Sequence, residues 1–214
     1  KYEGLPNPVE ARRQLNLPEG LTVGFTGHIY PGRGADLLFE LAKEMPQVNF
    51  LWVGGTPELV AHWRGELQRA QMTNVTMTGF VKHESIPLYQ AAADILLMPY
   101  SRSIEASSGQ DIAEVINPMK MFEYMAAARA IVCADLPSIR EVLNEGNAVF
   151  CEPGNWDLVI RDWKLEIESL LADEPQLRDA FIVHGREKAV RYTWEEMGTK
   201  LGELYEELCS SKSN

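Results

Sequence analysis

Leu21-Thr22-Val23-Gly24-Phe25-Thr26-Gly27 is a nearly continuous apolar run that stops at a glycine. A short run of this kind reads as a strand buried on both faces, not as the half-wet strand of an antiparallel sheet. After Gly32-Arg33-Gly34 the spacing predicts an amphipathic helix over 35–45. The same unit then recurs. Asn49-Phe50-Leu51-Trp52-Val53 ends in Gly54-Gly55 and precedes a helix over 58–70. Val75-Thr76-Met77-Thr78 ends in Gly79 and precedes a helix over 85–93, with Ser85 as its cap. Asp94-Ile95-Leu96-Leu97-Met98 is a strand ended by Pro99, and Ala130-Ile131-Val132-Cys133 and Ala148-Val149-Phe150 follow, with a short helix over 137–143 between them. This alternation predicts a parallel sheet covered on both faces, with right-handed crossovers. The fold expected is a doubly wound, Rossmann-like α/β domain of about six strands with extra C-terminal helices over 156–171, 176–192 and 195–208.

Boundaries follow from composition. Residues 1–20 hold three prolines and two glycines around the short helical stretch Val9 to Leu15, and read as a linker or leading segment. Residues 21–192 are the Rossmann-like domain, 193–209 a closing helix, and 210–214 a disordered tail. The chain of 214 residues is long enough for one large domain. Its net charge of −11 argues against nucleic acid as a partner and against charge-driven binding to anionic membranes, because both need a basic face. Cys133, Cys151 and Cys209 fit no zinc or redox spacing, and a reducing cytoplasm is the simplest compartment. No apolar run is long enough to span a membrane. The chain opens at Lys1 without Met, which reads as a piece of a longer protein.

Ligands of open α/β sheets bind outside the carboxyl ends of the strands. Three consecutive strands end there in glycine: Gly27, Gly54-Gly55 and Gly79. These are either tight turns or a crevice that lets a ligand approach the backbone. His28 and Arg33 lie in the first of those loops. Arg33, between two glycines, suits bidentate phosphate contact, or is a solvated loop arginine. Asn117-Pro118-Met119-Lys120-Met121-Phe122-Glu123-Tyr124-Met125-Ala126-Ala127-Ala128 predicts a buried helix, with Asn117 as cap and Pro118 in the first turn. Lys120 and Glu123, three apart, share one face; they are either an ordinary pair or the lining of a site. The long loop over 100–116 before this helix favours a site, and a helix start favours an anion. No dinucleotide fingerprint, P-loop, zinc motif, nucleophile elbow or Asp-x-Asp metal site is present. His62 and His184 fall on helices as surface residues.

From about Leu21 to Leu208 the chain resembles the C-terminal, donor-binding domain of GT-B fold retaining glycosyltransferases of family 4. The likeness rests on Gly27-His28 with Arg33-Gly34, on Phe50 to Gly55, on Val75 to Val81 and on Tyr89 to Pro99. Its most specific part is Asn117 to Ala126, followed by Ile131-Val132, by Ile139-Arg140-Glu141-Val142 and by Tyr192-Thr193-Trp194. The resemblance implies a UDP-, GDP- or ADP-sugar as donor substrate, with no metal and no other cofactor. It implies that Glu123 hydrogen-bonds the ribose hydroxyls and that Arg33 and the helix start contact the diphosphate. Lys120 reaches the phosphates or the sugar, and the backbone of Gly79, Phe80 and Val81 meets the base. Met119, Met121, His28 and Gly27 are carried over as donor-binding neighbours. It further implies an acceptor domain elsewhere in the same protein, onto which the final helix with Trp194 and Met197 crosses back. The fragment alone is then expected to bind donor and transfer little, and membrane contact, if any, comes through the other domain.

The sequence departs from the family at three places: Val115 stands eight positions before Glu123, where a first glutamate is common; His28 replaces Arg; and Ala128 replaces Gly. Three competing readings are a non-catalytic nucleotide-binding scaffold of the same fold, an NAD-binding Rossmann oxidoreductase and a GT-B sugar-nucleotide epimerase. The missing glycine fingerprint weighs against NAD.

Overall fold

A computed structural model describes residues 1–29, 34–102, 118–172 and 175–211. Its centre is a six-stranded, all-parallel sheet formed by β1 (Thr22–Thr26), β2 (Asn49–Val53), β3 (Val75–Gly79), β4 (Ile95–Met98), β5 (Ala130–Ala134) and β6 (Val149–Cys151). The spatial order is β3-β2-β1-β4-β5-β6. The direction of winding therefore reverses between β1 and β4, and the carboxyl ends of those two strands flank the crevice that this topology leaves for a ligand. Every residue of β1, β4 and β5 is buried, as near-continuous apolar runs require.

The helices in order are α1 (Pro8–Gln14), α2 (Ala35–Glu44), α3 (Pro57–Arg69), α4 (Ile86–Ala91), α5 (Lys120–Ala126), α6 (Pro137–Arg140), α7 (Trp156–Ala172), α8 (Pro175–Ala189) and α9 (Trp194–Ser211), with a 3-10 turn at Val190–Tyr192. Packing brings α1 beside α4, α2 beside α7 and α5 beside α8. Cys133 and Cys151 are buried core residues, and enclosure pushes both thiols up, Cys151 to about 12.

The segment read as a linker docks on the domain. Asn7 caps α1 by accepting the Glu10 N–H. Ala11 is buried, and the Arg12 guanidinium reaches Ala92 O at 2.8 Å and Asp94 Oδ2 at 3.0 Å. Asp94 Oδ2 also accepts the Thr22 N–H at 2.8 Å, so the last turn of α1 is tied to the amino ends of β1 and β4. From the start of β5, Arg129 donates to Ala91 O at 2.7 Å and to Pro6 O at 3.2 Å. Its burial draws the guanidinium pKa down to about 10.

Other boundaries also differ. The helix expected over 118–128 is shorter, since Pro118 and Met119 form the turn that enters α5, and Asn117 lies outside the described residues. Ala128 sits just past the helix end at φ 54, in the left-handed conformation that glycine adopts freely. The helix expected over 176–192 breaks into α8 and the 3-10 turn. Ser210 and Ser211, read as tail, continue α9. Along α9 an apolar stripe of Trp194, Met197, Leu201, Leu204, Tyr205 and Leu208 is exposed.

Candidate functional site at the carboxyl edge

β1 delivers Thr26 and then turns at Gly27, with φ 135. α5 begins across the switch point with Lys120, whose ammonium lies 4.0 Å from the centroid of the Phe25 ring and 5.3 Å from that of Tyr100. A Cβ on Gly27 would come within 3.0 Å of Lys120 Nζ, so a side chain there would push the ammonium out of place. Gly27 thus keeps room for the cation at the end of the strand. One turn along α5, the half-buried Glu123 accepts from Gln90 Nε2 at 3.3 Å. Lys120 and Glu123 share a helix face, yet their side chains reach different partners.

The floor below these charges is polar and enclosed. Gln90 is fully buried; its Nε2 also donates to Thr26 Oγ1 at 3.1 Å and its Oε1 accepts from Tyr2 Oη at 3.0 Å. Tyr124, fully buried, accepts the Thr26 N–H at 3.0 Å. Burial holds its phenol protonated well above the usual range. The end of β1 is therefore fixed by α4 and α5 together, and both charged side chains of α5 stand above that fixed end.

The remaining glycine turns divide. A Cβ on Gly54 would lie 2.3 Å from Gly27 O, and the Gly54 N–H donates to Gly79 O at 2.9 Å. Close backbone packing explains Gly54, as the tight-turn reading holds. Gly79, at φ 70, leads into Phe80, which is 84% exposed, while Val81 is half-buried against the cluster around Leu51 and Val53. His28 and Met119 are exposed at the same edge. Met121 is a correction: its side chain is fully buried in the core and its N–H donates to Pro118 O, so it presents neither group to a ligand. A helix apolar nearly all round does not announce which methionine faces inward. Arg33 lies outside the described residues. Further along the edge, a cavity of about 350 Å³ is lined by Gly34, Pro99, Tyr100, Arg102, Trp156 and Trp163, among others.

Residues 20–173 match the family described as Glycosyl transferases group 1. The chain belongs to the glycosyl transferases group 1 family. TuaH of Bacillus subtilis (strain 168), provisionally named a teichuronic acid biosynthesis glycosyltransferase, is 32% identical over 127 residues, covering 59% of this chain and 30% of that protein. The structure of Anabaena HepE in complex with UDP and glucose superposes with a TM-score of 0.72 at 19% identity, covering 94% of this chain and 51% of HepE. The C-terminal domain of a glycosyl transferase group 1 family protein (LpcC) from Francisella tularensis gives a TM-score of 0.69 at 17% identity, covering 87% of this chain and 92% of that domain. The two structures are likenesses of fold. The matches to curated relatives span between 27% and 51% of those proteins' own lengths.

Within this group 1 glycosyl transferase chain, the charged residues stand out in the sequence and the groups that hold them do not. Tyr2, Thr26, Gln90 and Tyr124 were not singled out as site residues. One signal was available for Gln90: it is the lone amide in the small, apolar stretch Gln90-Ala91-Ala92-Ala93, and a buried amide needs partners. Among the described residues no group of three or more His, Cys, Asp or Glu gathers within reach of one metal ion, and no helix is long and apolar enough to cross a membrane.

Proposed function

We propose that this chain is the donor-binding half of a retaining glycosyltransferase, which holds a nucleoside diphosphate sugar at the carboxyl edge of the sheet between β1 and β4. The observation that carries the reading is the meeting of Gly27, Lys120 and Glu123 at that edge, over a buried polar floor. Glu123 is a half-exposed carboxylate held by a neutral amide, so it can accept from a pair of ribose hydroxyls. Lys120 places its ammonium beside the glycine turn, where a diphosphate would meet it. The turn from Gly79 into the exposed Phe80, with Val81, takes the base. Arg33 keeps the diphosphate role that the resemblance implies. The complex of HepE with UDP and glucose supports a nucleotide sugar as the ligand class.

Transfer with retention of configuration, hexosyl as the group moved, independence of metal and a cytoplasmic site of action belong to the same proposal. So does an acceptor domain elsewhere in the protein. The coverage of about half of HepE supports that domain, as does the exposed apolar stripe on α9.

Isothermal titration of the chain with UDP, GDP, ADP and NAD, each in EDTA, tests the reading. One nucleoside diphosphate is expected to bind, and Glu123→Ala to weaken it by about 1.5–3 kcal/mol, the worth of a hydrogen bond to a charged group. Preference for NAD, or a Glu123→Ala variant that binds like the parent, removes it.

A further inference from the structure

Tyr2 belongs to the leading segment and not to the loops that carry the proposed donor contacts, yet its hydroxyl reaches the buried heart of the site. It donates to Gln90 Oε1 at 3.0 Å across 88 positions of sequence. The other end of the same amide donates to Glu123 Oε2 at 3.3 Å and to Thr26 Oγ1 at 3.1 Å. A carboxylate only accepts, so the NH₂ end of Gln90 must face Glu123 and its carbonyl must face Tyr2. Gln90 is fully buried, which leaves no water to replace a lost partner cheaply. The phenol itself is half-buried beside the Glu123 carboxylate, and both effects keep it protonated and therefore a donor.

We infer that Tyr2 and Gln90 are positioning residues for Glu123: the phenol fixes the amide, and the amide aims the carboxylate. The role assigned to that carboxylate rests on the donor-binding reading above, whereas the relay that orients it does not. Through this relay the leading segment, outside the sheet, sets the geometry of a charge at its carboxyl edge. Neither residue touches the ligand. Their effect passes through Glu123.

Two measurements test the relay. In the first, Tyr2→Phe, which removes one oxygen, is titrated with whichever of UDP, GDP or ADP binds the parent. The variant is expected to bind about three- to tenfold more weakly, the scale of one hydrogen bond, with a thermal midpoint lowered by a few degrees because the buried Gln90 Oε1 loses its donor. In the Glu123→Ala background the same change is expected to have no effect. Equal weakening in both backgrounds, or none in the parent, overturns the relay. In the second, the chain is labelled with carboxyl-¹³C glutamate and observed without ligand. The Glu123 signal, assigned by its loss in Glu123→Ala, is expected to shift in Tyr2→Phe. An unmoved signal overturns the relay. A shifted signal in a chain that binds no nucleoside diphosphate supports the relay and sinks the donor reading, so the two ideas fail separately.

Discussion

The two ends of strand β1 use similar parts for opposite purposes. At the amino end, the Thr22 N–H goes to Asp94, and the buried Arg12 meets that carboxylate at 3.0 Å. At the carboxyl end, the Thr26 N–H goes to the neutral phenol of Tyr124, and the nearby carboxylate of Glu123 meets the neutral amide of Gln90. The leading segment and α4 reach both ends, through Arg12 and Ala92 O at one and Tyr2 and Gln90 at the other. Where the carboxylate is matched by a buried cation, its charge is used up in holding the fold. Where it is steered by a neutral donor, its charge remains available to something else. Partner choice separates a structural acid from a candidate binding acid more clearly than burial or sequence position does.

Substitutions can break or sharpen this contrast. Arg12→Ala leaves the partly buried Asp94 without its cation and is expected to cost about 3 kcal/mol in urea unfolding, with nucleotide affinity per folded molecule unchanged. An affinity loss without a stability loss would erase the distinction between the two ends. Glu123→Ala is the mirror image: binding falls by the amount given for the donor site, while urea unfolding falls by only about 1 kcal/mol, the cost of one acceptor lost to the Gln90 amide. Tyr124→Phe tests whether the floor is structural, since it strands the buried Thr26 N–H, and a loss of about 1–3 kcal/mol is expected by the same method. The smallest effect is expected at Ala128, whose left-handed backbone costs an alanine about 1–2 kcal/mol. Glycine relieves that strain and returns part of the gain as unfolded-state entropy, so Ala128→Gly should raise stability by about 0.5–1 kcal/mol. A destabilised Ala128→Gly would show that the turn after α5 is not strained.

Much of the architecture was legible because its signals are local. Apolar runs such as Ile95-Leu96-Leu97-Met98 and the turn residues after them lie within a few positions of one another, and the alternation of such units fixes the class of sheet. Lys120 and Glu123 stood out as charges in an apolar helix. What stayed hidden depends on distant partners. Arg12 sits in a stretch bounded by prolines and looks like a solvated arginine until Asp94 arrives beside it. Tyr2 and Gln90 have no pattern that links them. Met121 was misread because the motif identifies the helix but not its inward side, and Ser210-Ser211 because polar composition does not by itself end a helix that is already running.

The strand order has a consequence for how the chain reaches this state. β1 lies between β2 and β4, and the Thr22–Asp94 contact that begins the second pairing joins positions 72 apart. A chain emerging from its amino end can assemble β3-β2-β1 and must then wait, with one side of β1 bare, until β4 arrives. Closing so long a loop before any contact rewards it makes all-parallel sheets slow to form, with folding times of roughly milliseconds to seconds. During that interval Val23 and Phe25 lie on an open edge that other strands can join. The residues that later support the site are, earlier, the stretch most in need of protection from wrong partners.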